Sequence, residues 1–238
     1  MKDTIQLGEL SIEVTRKDVK NVHLTVHPPD GRVSLVAPTS TRLEVARAYA
    51  VSKLPWIRQQ QSNMASQQRE APRKFVKRET HYLWGRPYLL NIVASEETPH
   101  VTLDHKRIHL HIKTGSEKDR REDVLYEWQK SLLHTFIKGV IAKWQPILGV
   151  QVNAYFVQKM KTKWGSCNHR LGNIRLNTEL VKKPKDLAEY VIVHEMVHLL
   201  EPTHNERFVA LMNRFYPHWR EARLELNELP LGYVKWGG

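Results

Sequence analysis

His194-Glu195-Met196-Val197-His198 gathers two imidazoles and a carboxylate into five residues. On a helix, His194 and His198 stand one turn apart on the same face, so both rings reach one ion. Glu195 is rotated about 100° from His194 and projects beside the ion rather than onto it. In this geometry two histidines bind zinc and a glutamate takes a proton from the metal-activated water. A catalytic zinc also needs a third protein ligand and an open position. His204, six residues after His198, is the leading candidate, because Pro202 should end the helix and let the chain fold back. Glu206 and His218 are the rivals for that place.

The surrounding sequence supplies elements to hold such a site. Val191, Ile192, Val193, Leu199 and Leu200 would bury the helix, Asp186 can cap it, Glu189 lies in its first turn, and Pro202 stops it. Thr203 or Asn205 can cap a following helix whose first apolar positions are Phe208, Leu211 and Met212. Upstream, an apolar stripe from Val124 through Leu132, Ile137 and Trp144 predicts a long helix over 120–147. Alternation over 150–157 and 172–180 predicts two strands. An edge strand there would pair with an extended peptide and lay its amide bond over the metal. Between these strands Gly165 allows a tight turn, Trp164 offers an apolar plate, and Cys167, with no CxxC partner, reads as a buried structural thiol. Lys159, Lys161 and Lys163 alternate and would share one face of a strand.

The N-terminal half reads as β-rich, with strands over 5–37, 82–93 and 101–112 and a hairpin turn at 28–31. One helical stretch is expected from a Thr39 or Ser40 cap to about residue 68, with a kink or a break at Pro55. His109 and His111 alternate with Ile108, Leu110 and Ile112, which predicts a polar strand face, with a second metal site as the alternative. Gly115-Ser116-Glu117 marks a boundary. The expected fold class is therefore α+β: a β-rich domain over 1–118, then a zincin-like metallopeptidase domain over 119–238.

Composition bounds the rest. The chain has 238 residues, 41% hydrophobic and 26% charged, the profile of a soluble globular protein. No apolar run approaches the roughly 20 residues that span a bilayer, and Met1-Lys2-Asp3-Thr4-Ile5 has no secretory core, so no membrane role is expected. A single cysteine excludes an internal disulfide and suits a reducing compartment, with the cytoplasm as the expectation. The net charge of +12 is spread as +7 over 1–118 and +5 over 119–238. Such a balance favours contact with phosphates or acidic partners.

Several stretches together resemble the YgjP-like zinc metallopeptidases, relatives of the SprT-like and Wss-type proteases. They are Met160-Lys161-Thr162-Lys163-Trp164-Gly165-Ser166-Cys167, Ile174-Arg175-Leu176-Asn177, and Val193-His194-Glu195-Met196-Val197-His198 with His204. Fainter matches at Arg32-Val33-Ser34-Leu35-Val36-Ala37-Pro38 and Glu79-Thr80-His81-Tyr82-Leu83-Trp84-Gly85 carry the similarity over most of the chain. The resemblance implies Zn2+ held by His194, His198 and His204, with Glu195 as catalytic base. Trp164 and Asn177, in the matched stretches, are the candidates for substrate contact. It also implies a protein or peptide substrate, with DNA or a DNA-bound protein as a candidate partner. The spacing from His194 to His204 equals that of metzincins as well, but those place glycine where Glu201 stands, and Met212, in an expected helix, makes a poor Met-turn. Tyr216 and His218 are the candidates for stabilising an oxyanion. The competing class is a non-enzymatic, nucleic-acid-associated module with a structural zinc, which one cysteine argues against.

Overall fold

The computed structural model describes residues 2–27, 31–66, 73–160 and 163–229. The chain forms two compact units, residues 1–69 and 70–238.

In the first unit, strands β1 (Lys2–Leu7), β2 (Leu10–Lys17), β3 (His23–His27) and β4 (Arg32–Pro38) form a sheet in the order β1-β2-β4-β3. Alternation puts Ile12, Val14, Val33 and Leu35 on one face, against Ala46, Ala50 and Ile57 of the helices. Of the kink or break expected at Pro55, the structure has the break, which leaves two helices, α1 (Leu43–Ser52) and α2 (Leu54–Ser66). The ring of Pro55 is tolerated in the first turn of a new helix but not in the interior of a continuous one. Arg42, not Thr39 or Ser40, occupies the N-cap of α1. Of the expected 28–31 turn, only Gly31 lies within the described residues, with φ +72°.

The second unit opens with β5 (Thr80–Leu83), β6 (Arg86–Ala94), β7 (His100–Leu103) and β8 (Arg107–Ile112), in the order β5-β6-β8-β7. Helix α3 (Lys118–Leu148) crosses from this sheet, where Leu125 meets Leu90, Ile108 and Leu110, to a larger core. There Leu133, Ile137, Ile141 and Trp144 pack with the helix that carries the histidines. The first unit ends well before residue 118, because the second sheet packs on α3. Arg121 of α3 donates to the Phe75 carbonyl at 3.0 Å. At the β5–β6 turn Trp84 N and Gly85 N donate to the carbonyls of Val181 and Lys182 at 2.8 and 3.1 Å. Both turn residues have positive φ, 51° and 78°, and a Cβ on Gly85 would stand 2.8 Å from Pro184 Cγ. Only glycine lets this hairpin reach the base of the helix that carries His194 and His198.

The remaining strands, β9 (Ala154–Gln158), β10 (Gly165–Asn168) and β11 (Asn173–Asn177), form a sheet in the order β10-β11-β9. β10 is antiparallel to β11 and β9 is parallel to it, so β10 is an edge. The strand expected over 172–180 stops at Asn177, whose side chain accepts from Glu179 N and starts a 3-10 turn over Thr178–Lys182. Helix α4 (Lys185–Val197) follows, then α5 (Glu206–Phe215) and α6 (Trp219–Glu228). Pro184, rather than Asp186, occupies the N-cap of α4. α4 is buried on nearly every side, with Leu187, Ile192, Val193 and Met196 at 0–1% exposure, as a helix apolar all round must be. The class is α+β. Among the described residues, no helix is long and apolar enough to cross a membrane.

Candidate active site

The last turn of α4 carries His194, Glu195 and, as its C-cap, His198. Beyond it the chain turns back through hydrogen bonds its own side chains supply. The Glu201 carboxylate accepts from Thr203 N and Oγ1 at 3.3 and 2.9 Å. Asn205 N donates to the Thr203 carbonyl, and the Asn205 side chain caps α5 by accepting from Phe208 N at 3.0 Å. Glu201 is thus the brace of a turn that needs no glycine, which is how the chain departs from the metzincin pattern.

That turn brings His204 onto the histidine pair. His204 Nε2 lies 3.0 Å from His194 Nε2 and 3.1 Å from His198 Nε2. All three ligand atoms fall within 4.8 Å of one another. Phe208, 1% exposed, forms the floor, with its ring centroid 4.6–4.9 Å from each imidazole. His198 Nδ1–H donates to the Glu201 carbonyl at 3.0 Å. This fixes the tautomer and leaves the Nε2 lone pair aimed at the other two rings. Burial, then the neighbouring imidazoles and Arg223, push His194 down to about 3. Burial also lowers His198 and His204. The rings are therefore neutral near pH 7, with ligand-competent nitrogens.

These residues fit a metal ion. Tetrahedral zinc with Zn–N bonds of about 2.0–2.1 Å sets its nitrogens about 3.3–3.4 Å apart, close to the observed 3.0 and 3.1 Å. Lone pairs converging at that distance repel unless a proton or a cation stands between them. Neither rival ligand joins the group: among the described residues only His194, His198 and His204 form one. Glu206 is exposed in the first turn of α5, and His218 is the N-cap of α6.

Glu195 is 6% exposed and faces strand β10. A Cβ on Gly165 would stand 2.6 Å from Glu195 Oε1 and 2.7 Å from its Cγ. Only a residue without a side chain leaves room for the carboxyl, so Gly165 admits Glu195 rather than making the tight turn expected of it. Burial raises the Glu195 pKa to about 8, with the Lys163 ammonium opposing. Cys167 is half-buried beside it, and burial followed by the Glu195 charge pushes the thiol up to about 11. The thiol is thus held protonated, but it is half-buried and lines the cleft rather than being the buried structural thiol the sequence suggested.

These groups line a cleft of about 670 Å3 between β10, α4 and α6. Trp164 lines it, with the Lys183 ammonium 5.5 Å from its ring centroid. Asn177 does not. It is 5% exposed, and its Nδ2 donates to the carbonyls of Met160 and Lys163 at 2.9 and 2.8 Å. It clamps the segment before β10. Lys159 and Lys163 flank that segment outside any strand, and Lys161 lies outside the described residues. Tyr216 Oη donates to the Asp186 carbonyl at 3.0 Å, and neither Tyr216 nor His218 lines the cleft. Sequence reasoning missed Arg223, which lines the cleft from α6 one turn after the buried Trp219. The spacing of Trp219, Ala222 and Leu226 shows which face of α6 is buried. It does not show what the neighbouring face meets.

A buried helix bearing two histidines and a glutamate, a third histidine returned by a short turn, and an open cleft with an edge strand along it define a metallopeptidase. The family model described as the YgjP-like metallopeptidase domain matches residues 20–229, and the chain belongs to that family. Two solved structures are similar to part of it. The metallopeptidase zymogen of Pyrococcus abyssi abylysin is 19% identical over 38% of this chain and 90% of that one, with a TM-score of 0.36. The zymogen of Methanocaldococcus jannaschii jannalysin is 23% identical over 38% of this chain and 92% of that one, with a TM-score of 0.34. No curated protein matches the chain.

Proposed function

We propose that the protein is a zinc peptidase in which His194, His198 and His204 hold the ion and Glu195 is the general base. The observation that carries this reading is the convergence of the three Nε2 atoms, 3.0 and 3.1 Å apart, beside a carboxyl walled in by Gly165. Zinc, when bound, supplies Lewis acidity toward water and the substrate carbonyl. Glu195 accepts the proton of the attacking water and returns it to the leaving amine. A carboxyl whose burial raises its proton affinity toward neutrality is suited to both transfers. The outer edge of β10 offers backbone N–H and C=O groups to an extended peptide, and Trp164 gives one side chain an apolar plate. Asn177 supports this by holding Lys163 and Trp164 in place. The Lys163 carbonyl accepts from its side chain and the Trp164 carbonyl from its backbone N–H.

All of these residues fall within 119–238, the proposed catalytic domain. The reducing environment of the cytoplasm suits the lone thiol, and the net charge of +12 supports a DNA-bound protein as one class of substrate. Purified protein assayed for zinc and for casein or peptide cleavage, with and without DNA, tests the reading. Glu195→Gln should keep one zinc per chain and lose about 10²–10⁴-fold in kcat. Full retained cleavage would refute the base assignment, and a fourth protein ligand found by metal spectroscopy would return the zinc to a structural role.

A further inference from the structure

We propose that the cleft selects peptides with acidic side chains flanking the scissile bond, and that Lys163 and Arg223 are the two cations that read them. The proposal rests on the peptidase reading above and names its substrate class. Both residues line the cleft, Lys163 just before β10 and Arg223 on α6. Their backbones are fixed. Asn177, 5% exposed, holds the Lys163 carbonyl at 2.8 Å, and α6 is anchored by Trp219, Ala222 and Leu226 on either side of Arg223. Their side chains are exposed and, among the described residues, have no ion pair or hydrogen bond. Other cations of the chain do find carboxylates, as Arg16 finds Asp3, Lys143 finds Glu189 and Lys182 finds Glu179. α6 itself carries Glu221, Glu225 and Glu228, yet none is an ion-pair partner of Arg223.

The only carboxylate among the described lining residues is Glu195. A peptide laid along β10 therefore meets two lining cations and, Glu195 apart, no lining acid to repel its own. Lysine or arginine near the scissile bond meets like charge. Such complementarity acts on encounter and binding more than on the chemical step, and it weakens as salt rises.

The test uses the zinc-loaded protein and one peptide sequence carrying Asp and Glu, Asn and Gln, or Lys at the flanking positions. At low salt kcat/KM should rank acidic over neutral over basic, about two- to fivefold per acidic side chain, with kcat little changed and the ranking fading toward 1 M salt. Binding of labelled peptides to Glu195→Gln should give the same order without turnover. Lys163→Glu and Arg223→Glu together should invert it; Lys163→Gln with Arg223→Gln should flatten it, with melting and zinc content checked for each. Equal use of the three peptides, or a ranking unmoved by reversal in folded protein, overturns the proposal. So does an oligonucleotide that outcompetes the acidic peptide for the cleft and loses affinity in the reversed variant. Acidic preference in binding without cleavage by the native protein would sink the peptidase reading and leave the charge preference standing.

Discussion

Two groups of histidines in the second unit differ in what their nitrogens face. On the sheet, His109 meets Asp104 Oδ2 at 2.8 Å through Nε2 and Asn91 at 3.0 Å through Nδ1. His111 Nε2 meets Thr102 Oγ1 at 3.1 Å, and His100 Nδ1 meets the Thr98 carbonyl at 3.0 Å. His100 and His111 stack with centroids 4.3 Å apart, closer than any two rings of the α4 trio. Yet the sheet histidines form no ligand group, because their nitrogens turn outward to separate partners. In the trio the rings are tilted to one another and three Nε2 atoms turn inward. Convergence of lone pairs, not nearness of rings, separates a metal centre from a polar strand face.

Removing one member of each group sharpens the contrast most. His204→Ala should weaken zinc binding by more than about 100-fold, since altering even a supporting partner of a ligand costs about 10–100-fold. His109→Ala and His111→Ala should leave zinc content unchanged and cost about 0.5–1.5 kcal/mol for each hydrogen bond lost. Metal analysis after dialysis against a weak chelator measures both. Unchanged zinc in His204→Ala would transfer the third ligand to Glu206 or His218; lost zinc in a sheet variant would break the comparison.

Gly165→Ala is the next largest effect. Its methyl must displace Glu195 or β10, because the nearest Glu195 atoms lie 2.6–2.9 Å away. Overpacking of this kind costs about 1–3 kcal/mol, and moving a catalytic group by about 1 Å costs about 10²-fold in rate. Zinc content should stay at the native value, since the clash falls on the base and not on the rings. Native kcat in Gly165→Ala would show that the contact does not position Glu195.

The trio was legible because its parts are local. Spacing on one helix places His194 and His198, and Pro202 with a capping Asn205 implies the return that delivers His204. What sequence could not show depends on elements distant in the chain. Gly165 and Glu195 are thirty residues apart, and their contact exists only once β10 lies on α4. Asn177 looked like a substrate residue because it stands among matched positions, but its amide satisfies the loop before β10. Arg223 resembles any exposed arginine of an amphipathic helix until α6 docks. The grouping of the strands was hidden for a similar reason: strand alternation is the same in both β regions, and only packing on α3 assigns 80–112 to the second unit.

His81 gives the comparison a third case, a buried histidine whose partner is an acid. It is 5% exposed, with Nε2 2.8 Å from Glu79 Oε2. Burial lowers its pKa, and the Glu79 charge only partly offsets this. Glu79 is also lowered overall: burial would raise it, but the Lys74 and Phe75 N–H groups and His81 stabilise its charged form. For a histidine depressed on folding, the unfolded chain binds more protons below its own pKa of about 6.5. The resulting stability is whole above that pH and falls as pH drops toward the folded value. Glu79 works in the same direction at lower pH, its share being lost as pH falls through its depressed folded pKa. His81→Gln should therefore make the metal-free protein's melting temperature fall less steeply with acid just below pH 6.5; zinc content should be unchanged, and the Glu79 share at lower pH should shrink to what the Lys74 and Phe75 N–H groups supply. An unchanged slope would mean that His81 takes up its proton in the folded protein as readily as in the unfolded chain.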